Sequence, residues 1–416
     1  MSRRVFVTGM GVVSSVGIGR RAFWESLVAG RSGASLVEGF DAARSGRDRA
    51  AQVHGFRASE HLTREELPRL GRCAAMAVAS ARMALEDAGL APGALAGPRT
   101  SVVLGTTMGE ADLMAREEAR WIHQGRHAIE GARLAGYGTS LLSVHVARAV
   151  GSRGAVLALP AACAAGNYAL GFASDLLREG LADVVLAGAS ELLQDLQYYG
   201  FVRLGAVAPE RIQPFDLNRQ GLLVGEGAAV LVLESEAHAA RRGATPLAEL
   251  GGYGVACDAF HITRPHPEGQ GNVHALREAL WRSGIGPEAV DFVNAHGTAT
   301  RANDAVEARS LKAVFGERRV PVSSVKSMIG HCMGAASALE AVSCVETVRT
   351  GILPPTIHYE TPDPECDLDI VANAARHARA DVVVNNALAF GGYDAVLVVA
   401  RPGCLPEPPG PEGARP

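Results

Sequence analysis

Aromatic residues are scarce in this 416-residue chain, at 5% of the total. A core built on large rings is thereby excluded, and small aliphatic side chains must fill most of the interior. Charge of one sign is also lacking. A formal net charge of −4 provides no global field for nucleic acid, so an anionic partner has to be met by a local basic patch. No stretch is apolar for long enough to cross a bilayer. The opening residues reach Gly9 too soon for the core of a secretory signal. Arg3 and Arg4 are a weak targeting hint and read better as a charged end before an interior strand. The seven cysteines (Cys73, Cys163, Cys257, Cys332, Cys344, Cys366, Cys404) show no close pair and no metal-ligand spacing. Disulfides and thiolate metal sites are therefore disfavoured, and reduced thiols in the cytosol are expected.

What is present suits a large packed core. Hydrophobic residues make up 48% and charged residues 20%, and 48 glycines with many alanines imply tight turns and close approach. The length alone allows roughly two to four average domains. Apolar runs of strand length alternate with amphipathic runs of helical period, which predicts an α/β protein. Strands are expected at 5–7, 101–104, 155–159, 184–186, 228–233, 320–324, 382–384 and 395–399. Helices are expected at about 20–28, 72–88, 166–178, 274–281, 304–314 and 335–350. A faint repeat links Arg4–Val12 with Leu247–Val255, each a strand that ends on glycines and opens about half the chain. It is equally compatible with duplication and with two unrelated strands. From Arg401 the chain is rich in proline and glycine and lacks periodicity, so a disordered tail is expected there.

Three short, small-residue-rich segments stand out: Ala161-Ala162-Cys163-Ala164-Ala165-Gly166, Asn294-Ala295-His296-Gly297-Thr298-Ala299-Thr300 and Lys326-Ser327-Met328-Ile329-Gly330-His331. Cys163 follows an apolar strand and precedes a helix. The free amides and positive dipole at a helix start favour a thiolate, and Gly166 with the flanking alanines leaves room for a bulky thioester. His296 ends a strand-like run, where active sites form in α/β proteins. Thr298 and Thr300 can offer hydroxyls to an amide-rich arm. Lys326 is an anchor whose acid partners are expected among Asp304 and Glu307. Phe390-Gly391-Gly392 follows a late strand, where freed backbone amides can face an oxyanion. Asp216 and Arg219 look like a local ion pair shaping a turn. Taken singly, each feature also has a structural explanation: an inert buried cysteine, a turn histidine, a surface lysine, a core aromatic. A thiol and two imidazoles on close-approach turns together describe acyl transfer and carbon–carbon bond chemistry.

In order and spacing, these segments resemble the elongating Cys-His-His β-ketoacyl-[acyl-carrier-protein] synthases of the thiolase superfamily, over residues 4–400. The resemblance implies a thiolase-like five-layered αβαβα fold of two duplicated halves, at 1–245 and 246–400, with a tail at 401–416. It implies Cys163 as the nucleophile that takes an acyl chain, His296 and His331 as the pair driving malonyl decarboxylation, and Lys326 as a supporting charge. It also implies an oxyanion hole from the backbone N–H groups of Cys163 and Phe390, with Phe390 as a gate. Thr298 and Thr300 would hold the pantetheine arm, Met108 and Phe201 would line the acyl pocket, and Asp304, Glu307 and Glu340 would stand behind the site. No metal or cofactor is implied beyond the phosphopantetheine of acyl carrier protein. The partners implied are that carrier and a second subunit, either a copy of this chain or a chain-length-factor-like protein, with no nucleic acid and no membrane. Arg69, Arg72 and Arg203, with Arg64 and Arg264, are the candidate carrier contacts.

Two departures from the family pattern bear on the pathway. The last motif usually reads Gly-Phe-Gly-Gly-Thr-Asn, and here it reads Ala389-Phe390-Gly391-Gly392-Tyr393-Asp394. The helix start Ala164-Ala165-Gly166-Asn167-Tyr168 also departs from the common Ser/Thr-Gly form. Both favour a polyketide-type or specialised fatty-acid enzyme over a housekeeping elongation synthase. A non-elongating, chain-length-factor-like subunit lacks the nucleophile, which this chain keeps. A thiolase would need a second reactive cysteine near the C-terminus. A starter-condensing synthase would carry asparagine where His331 stands.

Overall fold

The computed structural model describes residues 4–407 apart from Pro92. The first half runs β1 (Val5–Ser14), α1 (Arg72–Asp87), β2 (Thr100–Gly105), α2 (Leu141–Val150), β3 (Val156–Leu159), α3 (Ala165–Arg178), β4 (Val184–Glu191), β5 (Gly227–Ser235). The second half runs β6 (Ala248–Cys257), α4 (Gln270–Arg282), β7 (Phe292–Asn294), α5 (Arg301–Phe315), β8 (Pro321–Ser323), α6 (Ala336–Thr350), β9 (Val382–Ala389), β10 (Tyr393–Ala400). Strand order is β1-β5-β4-β2-β3 in one half and β6-β10-β9-β7-β8 in the other. The senses match as well. The first two pairings of each series are antiparallel and the last two parallel.

The faint sequence repeat thus marks a structural duplication. Its two copies, β1 and β6, pair antiparallel with Val5 opposite Leu250 and Val7 opposite Ala248, which joins the two sheets edge to edge. Helices α1 and α2 cover the outer face of one sheet, and α4 and α5 cover the other. Helices α3 and α6 lie between and touch strands of both, giving five layers. A helix between two sheets has no solvent side and no need of an amphipathic stripe. In α6 every residue from Ala336 to Val348 is accordingly buried, Glu340 included.

Close approach of the central helices depends on Gly166. A Cβ there would lie 2.4 Å from the Ala338 amide nitrogen and 2.8 Å from Ser337 Oγ. This glycine therefore serves helix packing and does not provide the room for substrate expected of it.

The helices at Ala111–Gln124 and Asp195–Arg203 were not expected from periodicity. The first leaves Met114, Trp121 and Ile122 exposed at 49%, 56% and 70%. The start of the expected tail is packed. Leu405 is buried, Arg4 donates to its carbonyl at 3.0 Å, and Arg401 pairs with Asp381 at 3.0 Å. The rest of that tail, 408–416, lies outside the described residues. Among the described residues no helix is long and apolar enough to cross a membrane.

Candidate active site

The duplication builds the site from paired turns. Strand β3 ends in a tight turn, Ala162–Ala164, that feeds α3, and the equivalent turn in the second half, Met333–Ala335, feeds α6. Each carries a strained non-glycine residue, Ala162 at φ 46° and Met333 at φ 44°. A third, Ala299 at φ 63°, separates Thr298 from Thr300. Strain of this kind persists only where the surroundings over-determine it, and it gathers at functional sites.

The Cys163 turn and the Thr298–Thr300 segment border one cavity of about 560 Å³. Its wall includes Cys163, His296, His331, Thr298, Thr300, Phe201 and Phe390. Cys163 is 6% exposed. The backbone N–H groups of Phe390 and of Cys163 itself both bear on its sulfur and favour the thiolate, as does the charge of Lys326. Burial outweighs them and pushes the thiol up to about 12. The expected depression at a helix start is therefore reversed, because the cavity withholds the water that would solvate a thiolate. Iodoacetamide modification of Cys163, followed by peptide mass spectrometry, should speed up about tenfold per pH unit from pH 7 to 9 without a plateau. A curve that bends over above about pH 8.5 would show a conventional thiol.

The rings of His296 and His331 meet edge to face with centroids 5.4 Å apart. Both side chains are held well below the usual imidazole range, first by burial and then by the Lys326 charge. Both rings are therefore neutral at pH 7, and each has one N–H to offer. Both Nδ1 atoms are buried without a hydrogen-bond partner. Two neutral donors in a water-poor cavity can stabilise a developing enolate oxygen without first losing a proton.

Lys326 is fully buried and forms its ion pair with Glu340 of α6. The expectation that Asp304 or Glu307 would hold it is wrong. Those two acids, both on α5, build the His296 loop instead. Glu307 accepts the amide N–H groups of His296 (2.6 Å) and Gly297 (2.8 Å). Asp304 accepts those of Phe215 (2.7 Å) and Ala299 (3.1 Å). Lysine occurs only twice in the chain, at 312 and 326. A residue so rare that nevertheless sits on a glycine-rich turn was the available signal. Lys326→Met would strand the Glu340 carboxylate in the core and should cost about 3–5 kcal/mol of stability in urea unfolding. A loss below about 1 kcal/mol would show that the pair is not structural.

The remaining expected residues divide. Phe201 and Phe390 stack at 5.6 Å in the wall, and the Thr298 and Thr300 hydroxyls bond each other at 2.9 Å. Met108 does not line this cavity. Its amide is tied to Glu191 (3.1 Å), and Gln194 reaches its sulfur (3.6 Å). Arg219 does not pair with the Asp216 carboxylate. It pairs with Asp363 and bonds the Asp216 carbonyl at 2.9 Å, while Asp216 accepts the amides of Glu360 and Thr361 at 2.6 Å. Arg72 is spent on Glu226 (2.8 Å) and the Val53 carbonyl (2.8 Å), so it does not present a free cation. Arg64, Arg69, Arg203 and Arg264 are exposed, and Arg264 lines the cavity mouth. Sequence reading missed Arg301, which directly follows the Thr300 segment, and Asp258, both in the same wall. Among the described residues no cluster of three or more His, Cys, Asp or Glu is arranged to hold a metal ion.

The family model for the β-ketoacyl synthase N-terminal domain matches residues 2–239, and that for the C-terminal domain matches 247–360. The chain belongs to the β-ketoacyl synthase family. It is 37% identical over 408 residues to 3-oxoacyl-[acyl-carrier-protein] synthase 2 of Coxiella burnetii, covering 96% of this chain and 99% of that protein. It is 38% identical over 416 residues to the tetracenomycin polyketide synthase ketoacyl synthase alpha subunit of Streptomyces glaucescens, covering 96% and 97%. Among solved structures, the ishigamide ketosynthase/chain length factor superposes with a TM-score of 0.94 at 39% identity, covering 97% of this chain and all of that one. The five layers are thus the thiolase-like fold of the ketosynthases.

Proposed function

We propose that this chain catalyses decarboxylative condensation of an acyl chain with malonyl-acyl carrier protein, as a ketosynthase of polyketide or specialised fatty-acid biosynthesis. The supporting observation is the meeting of Cys163, both neutral histidines and the Phe390 amide in one cavity. The Cys163 sulfur attacks the acyl thioester, its proton leaves with the pantetheine thiol, and the acyl–sulfur bond forms. Malonyl thioester then loses CO2, and the resulting enolate is held by His296 and His331. Its carbon attacks the acyl carbonyl, whose oxygen faces the Cys163 and Phe390 amides, and the Cys163–acyl bond breaks. Thr298 and Thr300 hold the pantetheine arm, Phe201 lies along the acyl path, and Phe390 gates it. Lys326 acts through its charge, with Glu340, Glu307 and Asp304 holding the framework. The reaction needs no cofactor beyond the carrier's phosphopantetheine and belongs in the cytoplasm.

A second subunit completes the assembly in this reading. Strand β3 is the outer edge of its sheet, half-buried and apolar along Val156–Leu159, and the exposed Trp121 and Ile122 leave the same half without a cover. The chain-length-factor complex among its structural relatives favours a heterodimer over a homodimer. The purified chain, alone and with such a subunit, should convert acyl- and malonyl-carrier protein to β-ketoacyl carrier protein with release of CO2. No product in either case would remove the proposal.

The carrier's acidic surface is met by the exposed arginines. Arg69→Glu with Arg203→Glu should raise KM for carrier-bound substrate several-fold at low salt, and leave KM for a small thioester mimic unchanged. An equal effect on both substrates would take these arginines out of the contact. Arg72→Glu should instead lower stability by about 1–3 kcal/mol, since it leaves Glu226 buried without its partner.

A further inference from the structure

Two carboxyl groups in the cavity wall are unused by the chemistry above. Asp394 is the second residue of β10 and Asp258 follows β6, and both line the cavity that holds Cys163. Asp394 is 1% exposed, and its Oδ2 is buried without a partner, as is Oδ1 of Asp258. The two orphan oxygens converge on one point. A Cβ on Gly271, at the head of α4, would lie 2.3 Å from the first and 2.6 Å from the second. Around them two chain segments are laced together. The Asp258 amide donates to the Gly392 carbonyl at 2.8 Å, and the Gly391 amide donates to the Ile262 carbonyl at 2.8 Å. The positive φ angles of Gly391 (85°) and Gly392 (78°) make the Phe390 turn possible.

We infer that Asp394 keeps its proton and turns it toward the orphan oxygen of Asp258, and that this contact latches the Phe390–Gly391–Gly392 turn to the 258–266 loop. The inference rests on the reading of that turn as the gate over Cys163. The protonated carboxyl donates its O–H to the neighbouring carboxylate, and loss of the proton to solvent leaves two like charges that push the segments apart. Asp258 bears on Asp394 from the end of β6, Glu307 from α5, and Tyr168 from α3. Asp258 has its other oxygen satisfied by the His266 amide at 2.8 Å. His261 and Arg264 of the same loop also line the cavity. Burial, reinforced by Asp258 and Glu307, raises the Asp394 carboxyl to about 8. The latch is therefore closed below that pH and opens above it. Asparagine at 394 supplies the same donor without titrating.

Infrared difference spectra of the full chain should show a carboxylic acid band that titrates near pH 8 in the wild type and is missing in Asp394→Asn. Hydrogen exchange of the 388–393 peptide, corrected for intrinsic rate, should lose about fivefold or more of its protection between pH 7 and 9 in the wild type. In Asp394→Asn that step should vanish while protection stays. In Asp258→Asn the Asp394 band should titrate lower, because the neighbouring charge is gone. No titrating band, or the same exchange step in Asp394→Asn, overturns the latch. These readouts need neither Cys163 acylation nor carrier protein. Failure of Cys163 to load any thioester would therefore overturn the proposed reaction and leave the latch to stand or fall by its own data.

Discussion

Cys163→Ser is expected to abolish acyl loading and condensation, while Cys163→Gln retains decarboxylation of malonyl-carrier protein. The two halves of the reaction use different groups. In the proposed reaction, loading requires a sulfur at the turn between β3 and α3, where the Phe390 and Cys163 amides bear on it. A serine hydroxyl there is a far weaker nucleophile than a thiol, because it loses its proton much less readily at the working pH. Decarboxylation, in the same proposal, uses His296, His331 and the fold around Lys326, none of which the glutamine removes. Intact-mass measurement after incubation with an acyl thioester reports loading, and CO2 release reports the second half. Stoichiometric loading of Cys163→Ala would place the acyl chain elsewhere and sink the assignment.

His296→Ala and His331→Ala should each lower the condensation rate by about 10²–10³, the typical loss of one preorganised donor to an oxyanion. Acyl loading of Cys163 should survive in both, since the Phe390 and Cys163 amides are untouched. The pH dependence carries a sign. Both imidazoles are depressed by burial and by Lys326, so they stay neutral as the pH falls through the ordinary histidine range. The wild-type decarboxylation rate should thus hold constant down through pH 6.5 and fall only well below it. A decline centred on pH 6.5, or a mutant condensing at near the wild-type rate, would show that the histidine in question does not serve the enolate.

Much of this site was legible in the chain itself. Cys163, His296 and His331 were marked by residue type and by the small neighbours that permit close approach, and all three meet in one cavity. Local pattern failed where the partner lay far away in sequence. Lys326 was assigned to Asp304 and Glu307, but it pairs with Glu340, one turn into a helix that sequence reading had placed but not known to be central. Arg72 read as a free cation beside a helix start, whereas Glu226 is 154 residues away and pairs with it at 2.8 Å.

The sequence alone determined the α/β alternation, the order of the motifs and the reactive residue types, because these follow from short-range periodicity and side-chain chemistry. The duplication was only half visible there, as one glycine-ended strand echoed in the second half. Tertiary structure decided it, since matching strand orders and the β1–β6 pairing exist only once the halves have packed. Tertiary structure also decided the protonation states. A helix start by itself favours a thiolate, but burial in the cavity wall disfavours the charge more than Lys326 and the Phe390 and Cys163 amides favour it, so the thiol remains neutral. Burial is a property of the whole packed chain, and no local window of residues contains it.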